Sequence, residues 1–162
     1  MILILDDVLS NEECSELINV YEDNIEYVGS HGEPKIYPLS IDLVRNNKTI
    51  FIKAFNKINT KISKFLDYNI EPLNIEIVRW PENSWQNYHK DITANHIVYN
   101  LASITYLNEN FSGGCLQMID GTKVKPKLGR TVVFDGCKYI HGVEPVQNNN
   151  RYTLPIWYRT GE

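Results

Sequence analysis

GRTVVFDGCKYIHGVEPVQNNNRYTLPIWY, residues 129–158, contains two strand-like runs with one histidine between them, His141, and an arginine, Arg151, ten residues further on. Val, Ile, Thr, Tyr and Trp dominate both runs, and Asn148 to Asn150 reads as the hairpin turn separating them. Alternate residues of a strand share a face, so Arg151 and Thr153 present a guanidinium fork and a hydroxyl to one side. Such a fork pairs bidentately with a carboxylate. A histidine followed by an anion-binding face asks for partners upstream.

The partners lie in NYHKD, residues 87–91, where His89 and Asp91 stand at i and i+2. In extended chain these two side chains share a face and can grip one ion together. His141 is far enough downstream for intervening strands to cross a barrel and bring a third ligand alongside. Two imidazoles and one carboxylate on one side of a metal form the facial triad of non-heme Fe(II), which leaves positions open for other ligands. Glu144 is an alternative carboxylate, with poorer spacing than Asp91. Cys137, four residues before His141, raises a thiolate–imidazole zinc site, which the complete triad disfavours. His31 and His96 have no place in the triad and read as structural or surface residues.

The rest of the chain supports one soluble domain. Its 162 residues suffice for a single core, and 43% hydrophobic with 22% charged residues is a globular composition; mean hydropathy is −0.32. A net charge of −4 without a basic run argues against nucleic acid as the main partner. MILILDD is too short an apolar start for a signal peptide or membrane span, so the expected location is cytoplasmic. Cys14, Cys115 and Cys137 lack CxxC spacing and read as ordinary thiols. Asn110-Phe111-Ser112 and Asp120-Gly121 read as turns.

Ile2 to Leu5 predicts a short strand, and Ser10 with Glu13 predicts a capping box for a helix to about Glu22, burying Leu17, Ile18 and Tyr21. Residues 27–45 predict a long loop with one short strand. From Lys48 to about Tyr68, Ile52, Phe55, Ile58, Ile62, Phe65 and Leu66 predict an amphipathic helix lying on a sheet. Strands follow at 74–80, 95–107, 115–119, 129–135 and 151–158. Helices first and strands afterwards imply an α+β, mainly β, layout in which helices back an antiparallel sandwich or jelly roll.

Together and in this order, HKD (89–91), SITYLNENFSGGCLQM (103–118) and residues 129–158 resemble the Fe(II)/2-oxoglutarate-dependent dioxygenases, specifically the prolyl 4-hydroxylase-like branch. The resemblance implies a double-stranded β-helix core over about 74–159, with helical support over about 10–70 packed on the major sheet, all one domain. It makes His89, Asp91 and His141 the iron ligands. It matches Arg151 and Tyr106 to residues that hold the distal carboxylate of 2-oxoglutarate, and Thr153 to the small hydroxyl residue of an RxS/T pair. Leu116 and Val143 fall where apolar residues wall the cosubstrate pocket, and Trp157 where an aromatic sits near the metal. Trp80 departs from the pattern, since relatives commonly carry Tyr there and the following PENSW loop lacks their glycine; an indole donates a hydrogen bond but cannot accept one.

The implied reaction consumes O2 and 2-oxoglutarate, releases succinate and CO2, and hydroxylates a C–H bond, with ascorbate as a possible support. The expected substrate is a peptide or protein side chain entering between the 28–45 and 81–87 loops, where Arg79 and Trp85 are candidate contacts. The rivals are the same chemistry on a small metabolite, free amino acid or nucleobase, and a non-catalytic cupin-like metal-binding protein. Oligomeric state is left open.

Overall fold

The computed structural model of the protein describes residues 1–44, 48–91 and 100–160. Arg45, His96 and the start of the 95–107 strand therefore lie outside the described residues.

Its frame is a six-stranded antiparallel sheet in the order β1-β9-β5-β12-β3-β2, formed by Ile2–Leu5, Thr131–Phe134, Leu101–Tyr106, Arg151–Thr160, Ile70–Trp80 and Tyr37–Ser40. A four-stranded sheet in the order β4-β10-β7-β8, formed by Gln86–His89, His141–Val143, Leu116–Met118 and Lys123–Val124, faces it. A small pair, β6 (Ser112–Gly113) and β11 (Val146–Gln147), completes a jelly roll.

Side-chain alternation gives the large sheet two faces of different chemistry. Ile77, Leu154, Ile156, Tyr158 and Val133 point to one side and pack against helix α1 (Asn11–Glu22) and helix α2 (Lys48–Ile62). Ala102, Tyr106, Val132 and Phe134 point to the other and meet Leu116, Met118 and Val124 of the small sheet. No helix among the described residues is long and apolar enough to cross a membrane.

The helices form largely where expected. Ser10 caps α1 through the Glu13 amide at 3.2 Å, and Glu13 returns a carboxylate to the Ser10 amide at 2.8 Å. Its buried stripe is Cys14, Leu17, Val20 and Tyr21, with Ile18 at the margin. Helix α2 ends at Ile62 and passes into a 3-10 turn over Ser63–Phe65, shorter than the spacing suggests. Its buried positions are Phe51, Ala54, Ile58 and Ile62, whereas Ile52 and Phe65 are 52% and 56% exposed. Both stripes share helical spacing through Ile58 and Ile62; contact with the sheet selects the one rotated by a residue.

The Asn148–Asn150 tract is not a hairpin turn. β11 before it pairs with β6, and β12 after it belongs to the large sheet, so the tract carries the chain between sheets, with Asn148 at φ +69°. Asp120-Gly121 does close a hairpin, between β7 and β8, where Gly121 takes φ +92°. Cys14, Cys115 and Cys137 form no disulfide among the described residues.

Two expectations follow. Phe51→Ala should cost about 3 to 5 kcal/mol and Ile52→Ala less than about 0.5 kcal/mol in denaturant unfolding; equal losses would put the wrong face of α2 inside. Burial pushes Tyr21 and Tyr152 up to about 12 and Cys14 up to about 11, from ordinary values of 10.0 and 9.0. The folded state thus holds these protons more tightly than the unfolded one. The stability they confer is complete below the ordinary values and is lost as pH rises through the folded ones, so the thermal midpoint should fall across that alkaline window. Tyr21→Phe should flatten the fall.

Candidate active site

β4 and β10 are antiparallel neighbours whose register sets His89 directly across from His141. The two rings lie 4.4 Å apart, centroid to centroid. Asp91 follows β4, and its amide donates to the Gly136 carbonyl at 2.9 Å, which turns the carboxylate toward both rings. Oδ1 of Asp91 is 3.6 Å from Nε2 of each histidine, and the three ligand atoms all fall within 4.8 Å of one another.

In each ring Nδ1 lies 2.9 Å from the carbonyl two residues earlier, Asn87 for His89 and Tyr139 for His141. A carbonyl only accepts, so Nδ1 carries the proton and Nε2 offers its lone pair to the centre of the triad. Phe134 packs edge-on against His141, with centroids 4.6 Å apart. Burial, with the neighbouring His89, outweighs Asp91 and lowers the His141 pKa. Burial also acts to lower that of His89, but the Asp91 carboxylate and Asn87 carbonyl outweigh it and leave His89 raised.

The alternatives for the triad fall away. The Cys137 thiol donates to the Asp91 carbonyl at 3.4 Å and is not one of the converging groups. Glu144 pairs with Lys123 at 2.5 Å. Gly136 was missed in the sequence, although its place matters: an added Cβ would stand 2.3 Å from Oδ2 of Asp91.

Arg151 opens β12 opposite Trp80, the last residue of β3. It is 1% exposed, and among the described residues none of its three guanidinium nitrogens has a hydrogen-bond partner. Its guanidinium carbon lies 4.7 Å from the Trp80 ring centroid and 5.3 Å from that of Tyr106, whose hydroxyl is also buried without a partner. The Trp80 indole N–H donates to the Thr153 hydroxyl at 3.2 Å, so this tryptophan engages protein on both its face and its edge. Gly114, at φ +61°, leaves room for the arginine, since a Cβ there would come within 3.0 Å of Cδ of Arg151.

A cavity of about 440 Å³ joins the two clusters and is lined by His89, Asp91, His141, Arg151 and Thr153. Leu116, Val143, Trp80 and Trp157 also line it, and Tyr106 lies beside Arg151. His31, expected to be unexceptional, sits on the lining with Ile36, brought there by the bridge that pairs them.

Arg79, a candidate substrate contact in the sequence, does not line the cavity. It faces the helix side of the large sheet, over the rings of Tyr37 and Tyr21 at 5.0 and 5.9 Å, because strand alternation puts it opposite its neighbours Val78 and Trp80. The same alternation brings Asn74 and Glu76 into the cavity, two residues the sequence reading missed. Once Trp80 is taken as inward-facing, counting back by twos finds both. Trp85 is partly exposed on grooves beside the mouth.

The profile of the 2OG-Fe(II) oxygenase superfamily matches residues 75–159, more than half of the chain. The protein belongs to this family, and is a 2-oxoglutarate-dependent dioxygenase that needs Fe(II) and 2-oxoglutarate. No curated protein sequence matches it.

Among solved structures it resembles a Pseudomonas putida prolyl-4-hydroxylase at 20% identity and TM-score 0.71, over 98% of this chain and 91% of that one. It also resembles a viral collagen prolyl hydroxylase from Paramecium bursaria Chlorella virus-1 in complex with 2-oxoglutarate, at 18% identity and TM-score 0.66, over 99% and 96% of the two chains. A third is a Trichoplax adhaerens prolyl hydroxylase in complex with a hypoxia-inducible-factor peptide, at 15% identity and TM-score 0.69, over 97% and 82%. Each shares the fold.

The residues present fit both groups. Two imidazole nitrogens and a carboxylate oxygen are a donor set for ferrous iron, and a buried, unpaired guanidinium suits a carboxylate ligand.

Gly136→Ala should lower Fe(II) or Mn(II) affinity about tenfold or more in anaerobic titration, with the fold retained by circular dichroism. Both imidazoles must be neutral to ligate, so metal affinity should decline on acidification. The decline should begin above the ordinary imidazole value of 6.5, because the His89 pKa is raised.

Proposed function

We propose that the protein is a hydroxylase of the prolyl 4-hydroxylase type, acting on a side chain of a peptide or protein as one domain, with helical support over residues 10–70 and a catalytic core over 74–159. O2 and 2-oxoglutarate are consumed, and succinate and CO2 are released. The observation that carries the reading is Arg151: a buried cation with no hydrogen-bond or ion-pair partner among the described residues, in the same cavity as a histidine–aspartate–histidine cluster.

His89, Asp91 and His141 hold the iron. Arg151 takes the distal carboxylate of 2-oxoglutarate, with the Tyr106 hydroxyl beside it. Trp80 and Thr153 keep the guanidinium in place, and Leu116 and Val143 wall the cosubstrate from water. Trp157 stands at the substrate end. Iron and 2-oxoglutarate, when bound, supply the oxidising power that puts oxygen into a C–H bond; the protein orients the reactants and excludes water. No protein nucleophile or general base is called for, and ascorbate serves only to keep the iron ferrous. Substrate enters past His31 and Ile36 on one side and Gln86 with Trp85 on the other. The hypoxia-inducible-factor peptide in the Trichoplax complex supports a peptide-sized substrate.

Purified protein with Fe(II), O2, ascorbate and 2-oxoglutarate should form succinate slowly, and faster with a peptide substrate. Arg151→Ala should raise the 2-oxoglutarate requirement about a hundredfold while metal still binds. His141→Ala should lose metal and activity together. Equal metal loss in both variants would refute this division of roles.

A further inference from the structure

β3 and β12 run side by side along the cavity, and their register gives it a direction. Arg151 pairs with Trp80 at one end, and Trp157 pairs with Asn74 toward the other. Glu76 shares the inward face with Trp80 four residues away, about 13 Å along the strand. Asn74 Nδ2 donates to Glu76 Oε1 at 3.0 Å, and Oε2 has no partner among the described residues. Glu76 forms no ion pair among the described residues; of the cations on the lining, Arg151 lies at the far end and Lys90 is exposed to solvent.

A charge balance gives this carboxylate its meaning. The charges of a ferrous ion, the Asp91 carboxylate, the Arg151 guanidinium and a 2-oxoglutarate dianion cancel, and the two histidines that ligate the metal are neutral. Glu76 is then a carboxylate without an ion-pair partner among the described residues at the substrate end of the cavity. A carboxylate in such a place disfavours an anionic substrate and gains most from a cation that brings hydrogen-bond donors. A neutral ring does not satisfy it.

We infer that Glu76, oriented by Asn74, selects a substrate that carries a protonated nitrogen, an ammonium or guanidinium, close to the carbon to be oxidised. Asn74 fixes one carboxylate oxygen and leaves the other for the incoming N–H. The inference rests on the hydroxylase reading above and narrows its substrate from peptide side chains in general to basic ones. A free basic amino acid carries the same chemistry.

The test uses short neutral peptides, identical except for a central Lys, Arg, norleucine, citrulline or Pro, together with free lysine and arginine. Succinate release and mass gain report turnover. Quenching of tryptophan fluorescence in anaerobic, Mn(II)-loaded protein with 2-oxoglutarate reports binding without chemistry. Lys or Arg peptides should exceed their neutral isosteres by about ten- to a hundredfold in kcat/KM and in affinity. Glu76→Gln should remove most of that preference through KM, and Glu76→Lys should turn it toward a peptide with central Glu. Stronger response to the free amino acids than to the peptides would assign the same subsite to a small metabolite.

Equal use of Lys and norleucine, or of Arg and citrulline, by the wild type would overturn the inference while leaving the hydroxylase reading in place. So would an unchanged preference in Glu76→Gln. Failure of Mn(II)-loaded wild type to bind 2-oxoglutarate would overturn both.

Discussion

Arg151 is buried to 1% exposure without a counter-ion or hydrogen-bond acceptor among the described residues. An unpaired charge in that setting costs several kcal/mol, and burial accordingly lowers the pKa of the guanidinium. Aromatic faces offset a part of it, since the cation lies over Trp80 and beside Tyr106. The remainder is recovered when an anion arrives. Much of the surrounding structure serves this one residue: Gly114 leaves its volume free, Thr153 ties down the indole that covers it, and the paired strands β3 and β12 hold arginine and tryptophan in register.

The large sheet makes such a site tolerable by dividing its labour between two faces. One face carries Ile77, Leu154, Ile156 and Tyr158 into a largely apolar contact with α1 and α2. The other carries Arg151, Thr153, Glu76 and Asn74 into the cavity. The polar face alone would not hold a sheet together; the helical layer supplies the burial that does. The small sheet then needs only to bring β4 beside β10, and the two histidines meet across it. Three ligand atoms come from two chain segments, and Gly136 lets the third approach.

Period and spacing carried far in the sequence because the elements concerned are strongly patterned. The capping box at Ser10, the strands β1, β7, β9 and β12, and the pairing of His89 with Asp91 are local facts that survive folding unchanged. Misreadings arose wherever two patterns satisfy the same rule. In α2 the stripes through Ile52 and through Phe51 have similar helical spacing, and contact with the sheet decides between them. Arg79 and Glu76 are both charged residues of one strand, yet one stacks on tyrosines under the helices and the other faces the cavity.

The divide runs at Gly129 to Tyr158. Which atoms could ligate metal or grip a carboxylate is a property of side-chain chemistry and local spacing, so His141, Arg151 and Thr153, with His89 and Asp91 upstream, stand out as candidates in the sequence. Where the chain goes between them is not local. The Asn148–Asn150 tract resembles a hairpin turn but joins two sheets, because the partners of β11 and β12 lie elsewhere in the chain. That crossing seats Arg151 beneath Gly114 and across from Trp80, leaves it without an ion pair among the described residues, and places Glu76 at the cavity's other end. Burial and pairing between distant strands depend on the whole packed chain, and they turn an arginine at a suggestive interval into a buried cation on the cavity wall.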